Sequence, residues 1–391
     1  MRVQEWPSEA GFGSASVVLA LTFMLTVAAP LAHGQTFNTI YNFAGTPDGQ
    51  GPFAGVIQDS AGNLYGTTLT GGTACGYGSI FKITAKGAES LLYSYSGLDG
   101  ELPYAGLLRD KAGNLYGTTY LGGASGLGTI FRLSKTGKLK VLHSFAGGGT
   151  DGCYPYGGVT MDSSGNIYGT TTLCGGGYGM LWKISKAGKM SVLHDFTGGA
   201  TDGAEPALGN LFLDNKGNLY GVTIEGGPAN AGVVYEVSKS GRFKMLYSFK
   251  AGTADGCFPY GTVARDGSGA LYGTTNSCGA ATLGTLWKLK GGKETVLHSF
   301  AGAPNDGRNP NAGVILDSKG NLYGTASGGG SSDDGVVYEY SGGEFTVLHA
   351  FAGSDGETAD CGLLRTSKGK LYGTAYSGGS SGEGTVWTIT P

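Results

Sequence analysis

Four histidines occupy one recurring position of the sequence, His143, His194, His298 and His349, and tyrosine (Tyr41, Tyr93, Tyr247) takes the same place in other copies. Imidazoles of this kind serve as metal ligands or general bases. Replacement by Tyr, and distribution over separate copies of a repeat, argue against one shared metal or catalytic centre. Seven Asp-Gly pairs recur in the same way, at Asp48, Asp99, Asp151, Asp202, Asp255, Asp306 and Asp355. Loop carboxylates suit calcium, but a calcium loop needs several oxygens at short spacing, and Asp is an ordinary turn residue. Asp333 with Asp334, and Glu205 with Glu225, are the local acidic pairs. No cofactor is therefore expected, and calcium is the ion these loops would take. No Ser-His-Asp order and no paired-carboxylate signature stands out from the repeat, so the expected protein is not an enzyme.

A second row of residues follows a recurring proline, whose place Ala359 takes in the last copy. It reads Phe53, Tyr104, Tyr156 and Tyr260 in four copies, and Ala207, Asn311 and Asp360 in the other three. Four aromatic rings beside a polar arc form a stacking platform for a sugar or peptide; the alternative is that the rings plug a channel or brace its loops. Six cysteines complete the candidates. Cys153 and Cys174, and Cys257 and Cys278, are each 21 residues apart at equivalent positions, which predicts two bridges within repeat units. Cys75 and Cys361 remain, and a third bridge between them would lock a ring seam. Zinc is the rival reading, but no Cys-x2-Cys or Cys/His spacing supports it.

The elements that position these residues follow from periodicity. Gly-Asn-Leu-Tyr-Gly-Thr recurs, with drift, around Tyr65, Tyr116, Tyr168, Tyr220, Tyr272, Tyr323 and Tyr372. Within one unit, Ala105–Arg109, Leu115–Thr119, Thr129–Leu133 and Lys140–Phe145 read as four short strands separated by Gly-containing turns. Four strands per unit of about 50 residues is the signature of a propeller blade. The expectation is an all-β, seven-bladed β-propeller of four-stranded antiparallel blades. The repeat Tyr and the third-strand aromatics (Phe81, Phe131, Trp182, Tyr235, Trp287, Tyr338, Trp387) would form the core between blades. The Gly after the Tyr would let neighbouring backbones approach. Residues 37–43 match a fourth strand and residues 385–390 a third, so the N-terminal strand would close the ring in the last blade. One face of that ring carries tight turns, whereas the other carries the long loops and the row at Phe53, where binding residues belong.

Glycine (77 residues) and proline (12) are abundant, yet the chain is 40% apolar and 11% aromatic, which excludes a disordered polymer. A formal charge of −3 offers no basic stripe for nucleic acid. Residues 16–32 form an uncharged apolar run ahead of Ala32-His33-Gly34, the form of a secretory signal cleaved near Gly34, with an uncleaved membrane anchor as the alternative. Residues 1–34 then make a signal peptide and 35–391 the propeller. The expected product is a secreted, periplasmic or extracellular monomer whose mature chain has no membrane span.

Asp59 to Thr68, Gly71-Gly72 and Gly78-Ser79-Ile80-Phe81-Lys82 resemble the GloVer tandem repeat of exported bacterial proteins, and the likeness extends over residues 37–391. The unit is also similar, more loosely, to NHL-type propeller repeats. The resemblance implies the fold and export and carries no established activity. Surface proteins of that family end in varied C-terminal anchors, whereas this chain stops at Pro391 within its last blade. The expected function is therefore a non-catalytic binding or scaffold module for a glycan, peptide or protein on the loop face. The alternative is a propeller hydrolase or lyase with an acidic site, assisted by a divalent ion, at the channel mouth.

Overall fold

The computed structural model describes residues 35–73 and 76–391, so the expected signal segment and Cys75 lie outside the described residues. Every regular element described is a β-strand. Seven four-stranded antiparallel blades follow one another around an axis, with strand order running outward in sequence. The first blade is typical, with strands Ile57–Gln58, Leu64–Thr68, Ser79–Ile83 and Glu89–Ser94. The last blade takes its first three strands from Leu364–Arg365, Leu371–Ala375 and Thr385–Thr390, and its outermost from Thr36–Asn42. Ring closure by the N-terminal strand is thus realised, and no helix among the described residues is long and apolar enough to cross a membrane.

The repeat sequence dictates the blade through three recurrent contacts. In the first turn, Asp59 Oδ1 accepts from the backbone N–H of Ala61 and Asn63, while Oδ2 accepts from Asn63 Nδ2 and Tyr65 Oη. One carboxylate thereby satisfies a turn that Gly62 closes at φ +84°. Tyr65 is thus half-buried and anchored at its hydroxyl, whereas Tyr220, Tyr272 and Tyr323 at the same repeat position are buried.

The second contact corrects the expectation for the repeat glycine. Gly66 pairs with Phe81 across the strands, and a Cβ there would lie 2.5 Å from the Phe81 ring. Gly169 with Trp182 and Gly373 with Trp387 repeat the arrangement at 2.4 and 2.3 Å. The glycine makes room for the aromatic ring of the next strand rather than for a neighbouring backbone. Those third-strand aromatics are the core: each of the seven is at most 1% exposed.

The third contact uses the histidines and the Asp-Gly pairs together. Asp151, Asp202, Asp306 and Asp355 lie 2.9–3.0 Å from Nε2 of His143, His194, His298 and His349 of the same blade. Asp48 and Asp255 accept from Tyr41 and Tyr247 at 2.6 and 2.7 Å, and Asp99 accepts from Tyr93. Each carboxylate is engaged by the fourth strand and also receives backbone N–H bonds, as Asp202 does from Thr197 and Gly203. The seven Asp residues latch the interblade loops to the blades that precede them.

Between blades, the residue four before each latch ring reaches the preceding seam. Phe37, Phe243 and Phe345 stack on His349, His194 and His298 at 3.7–3.9 Å and 5–6°. Where the latch ring is Tyr41 or Tyr247, Glu89 or Glu294 takes that position. Threonines of the second strand add hydrogen bonds to the next innermost strand. Thr67 donates to Ala105 O, Thr118 to Gly157 O and Thr274 to Ala312 O. Thr374 donates to Ala54 O across the closure.

Cys153–Cys174 and Cys257–Cys278 are both bonded, with Cα–Cα distances of 5.4 Å. The third expected bridge, Cys75–Cys361, is not formed: Cys361 is a free, buried thiol. Cys153 and Cys257 follow their Asp by two residues and sit in the loop, whereas Cys361 follows Asp355 by six and lies at the innermost strand. Its Sγ accepts from Thr374 N at 3.1 Å and abuts Gly373, and burial pushes the thiol up to about 11. In the sixth blade Arg308 takes the loop position of the bonded cysteines and pairs with Asp333 at 2.8 Å.

Candidate ligand site at the channel mouth

The row Phe53, Tyr104, Tyr156, Ala207, Tyr260, Asn311, Asp360 is placed by an unusual backbone. Two residues before it, Leu102, Tyr154, Glu205, Phe258, Asn309 and Thr358 adopt φ of 52–58°, and Gly51 adopts 64°. Only glycine takes such values at no cost, so six non-glycine residues there are held by their surroundings. The hydrogen bonds show how. Leu102 N donates to Tyr77 O of the preceding blade's loop, while Leu102 O accepts from Tyr120 N, just past its own second strand. Phe258 and Thr358 make the same pair of bonds. Each left-handed residue ties two blades together and fixes the direction of the residue two places further on.

The structure brings part of the row into one cavity of about 290 Å³ on the axis, running from Phe53, Tyr104, Asn311 and Asp360 at the mouth to Ile57 and Ile315. Ala207 is buried, and Tyr156 and Tyr260 are not lining residues of this cavity. Tyr156 packs edge-on to Tyr104 at 4.7 Å, and Tyr260 is half-buried near Glu205 and Glu225. Among the described lining residues Asp360 is the one ionisable acid, and there is no Lys, Arg or His.

Asn311 and Asp360 belong to a directed chain of hydrogen bonds. Ser277 Oγ donates to Asn276 Oδ1, Asn276 Nδ2 to Asn311 Oδ1 at 2.6 Å, and Asn311 Nδ2 to Asp360 Oδ1 at 3.0 Å. Each amide spends one N–H and keeps another. Burial pushes the Asp360 carboxyl up to about 6, against the opposing pull of bonds from Asn311 and Ser327. Asn276, Ser327, Tyr120 and Tyr376 lie outside the row that the sequence marks. All four occupy the residue after the second strand's Thr-Thr or Thr-Ala, and reading that position across the repeat would have found them.

The raised acids set a pH dependence with a definite sign. Asp360 binds its proton more tightly folded than unfolded, so its contribution to stability is full below about pH 4 and is lost as pH rises through about 6. Glu89 and Glu294, desolvated and facing Asp48 and Asp255, are raised to about 7 and act in the same direction. At the turn of the first blade, burial opposes the bonds from Asn63, Tyr65 and Ala61, but the bonds prevail and hold Asp59 at about 2; that contribution is lost only in strong acid. The protein should therefore be more stable at pH 5 than at pH 8. Asp360→Asn should gain on the order of 2 kcal/mol at pH 8 and nothing at pH 4. Denaturant midpoints at the two pH values check this, and an equal effect at both would refute the assignment.

Among the described residues no three His, Cys, Asp or Glu side chains converge on a metal position. The fold and the site define a β-propeller with a mouth that is aromatic on one side and amide-lined on the other. The chain belongs to the Gloeobacter/Verrucomicrobia repeat family, whose pattern matches residues 20–211 and 172–387. No curated protein matches it. In fold it is similar to the extracellular domain of a proposed one component system from B. thetaiotaomicron, at 11% identity and TM-score 0.57, covering 90% of this chain and 39% of that one. It is similar to a puromycin-hydrolyzing peptidase from Mycobacterium tuberculosis at 12% identity and TM-score 0.51, covering 85% and 52%. A gluconolactonase from Xanthomonas campestris matches at 15% identity and TM-score 0.45, over 89% and 98%. At these identities the likeness is one of fold.

Proposed function

We propose that the protein is an exported, non-catalytic binding propeller that holds a glycan or peptide ligand at the loop-face mouth of its channel. The observation that carries this reading is the cavity itself: Phe53 and Tyr104 on one side, the Asn276–Asn311–Asp360 chain on the other, and no cation or second acid in its lining. Aromatic faces supply contact area, and a few fixed polar groups supply orientation, which is the general form of a small-ligand site. Export rests on the apolar run at residues 16–32 together with two disulfides, which persist in oxidising compartments.

A glycan and peptide array followed by calorimetry tests the reading. Tyr104→Ala combined with Tyr156→Ala should weaken the captured ligand by about tenfold or more, the equivalent of about 1.4 kcal/mol. Unchanged affinity in a folded double variant would remove the mouth as the site. The raised carboxyl of Asp360 favours a second reading, a hydrolase or lyase in which this acid moves a proton. Turnover of a bound ligand that is abolished in Asp360→Asn, with binding retained, would establish that reading instead.

A further inference from the structure

The aromatic side chains at the mouth do not stop at the cavity. Tyr376 of the seventh blade lies 6.0 Å from Phe53, and Phe53 lies 5.5 Å from Tyr104. Tyr104 meets Tyr120 at 5.4 Å and Tyr156 at 4.7 Å, and Tyr120 stacks on Tyr154 at 5.1 Å. Six rings from four successive blades thus make one continuous ribbon across the loop face. Its end ring, Tyr376, is 41% exposed, and the other five are partly exposed. The ribbon passes beside the chain of amides that ends at Asp360, a carboxyl that takes bonds from Asn311 and Ser327.

Resting on the binding reading above, we propose that the ribbon takes an extended, uncharged oligosaccharide of several units, with one sugar seated at Asn311 and Asp360 and the rest laid along Tyr376, Phe53, Tyr104, Tyr120 and Tyr154. Three features select this class. Successive centroids are 5.1–6.0 Å apart over four steps, so a single ring-sized ligand covers only part of the ribbon. A sugar presents a C–H face to an aromatic ring and an edge of hydroxyls that both donate and accept. Those hydroxyls match the spare N–H groups of Asn276 and Asn311 and the remaining lone pairs of the Asp360 carboxyl. The cavity lining has no Lys or Arg to attract an anionic polymer.

Calorimetry with cello-, malto-, xylo- and chito-oligosaccharides of one to six units is the test. In one series the affinity should rise at least tenfold from one unit to four and then level off. Tyr376→Ala, at an exposed ring, should fold with an unchanged melting temperature and should level off at a shorter length. A series in which one and six units bind equally would overturn the ribbon and leave the mouth site standing. Binding of no saccharide in any series, with a proline-rich peptide bound through Tyr104 instead, would overturn the oligosaccharide assignment. Binding of neither class would overturn the binding reading itself.

Discussion

A chain that begins at Ala44, without the closing strand, should fail to form a monomeric propeller. Thr36–Asn42 pairs with Thr385–Thr390 from Thr36 opposite Thr390 to Asn42 opposite Thr385. Its removal strips the seventh blade of its outer strand and frees an edge around the wholly buried Trp387. It also removes Phe43, 0% exposed, and Phe37, which stacks on His349 and packs on Phe351. A fully buried ring contributes roughly 1.5–3 kcal/mol of transfer free energy, so wholly buried Phe43 with half-buried Phe37 supplies a sizeable part of a domain's stability. Light scattering should show oligomers or aggregate in place of a monomer, and Phe43→Ala should already lower stability by about 3–5 kcal/mol. A truncated chain that stays monomeric with an unchanged melting temperature would contradict the closure.

Gly313→Ala should be as severe, although it adds one methyl group. A Cβ at Gly313 would sit 2.0 Å from Thr262 O, because the innermost strands of the fifth and sixth blades pass backbone against backbone. Neither strand is free to retreat. Thr274 Oγ1 donates to Ala312 O, and Thr262 Oγ1 accepts from Asn210 N of the fourth blade. Overpacking of ordinary cores costs about 1–3 kcal/mol, and a clash with backbone on a shared axis should exceed that range. Gly362 provides the control. It occupies the same repeat position in the seventh blade, and a Cβ there meets nothing within 4 Å. Gly362→Ala should therefore unfold close to the native protein in urea, while Gly313→Ala should unfold far earlier or fail to accumulate. Similar losses in both variants would show that the axis is not packed in this way.

The contrast between those two glycines marks the boundary of what the repeat discloses. Periodicity alone sets seven Tyr and Asp-Gly markers, four strands per unit, and terminal strands that complete one another. It also sets the pairing of Cys153 with Cys174 and of Cys257 with Cys278, since both partners lie within one blade at matched offsets. These are local properties, in which strand length, turn chemistry and spacing suffice. Half of the candidate site was legible for the same reason, since Phe53, Tyr104, Asn311 and Asp360 share one repeat position.

Everything that depends on which blade faces which follows from packing around the axis. Asn276 meets Asn311, and Asn311 meets Asp360, only because the fifth, sixth and seventh blades follow one another around the axis. Glu89 is raised because burial desolvates it and closure also sets it against Asp48. Cys361 stays reduced because its strand turns the thiol into the packing at Gly373. The repeat suggests backbone contact for its glycine, yet the register of strands two and three places the Phe81, Trp182 or Trp387 ring over it. A period of about 50 residues fixes what each blade is, whereas the packing angle between blades fixes which of its departures meet. At the channel mouth those departures converge on Asp360.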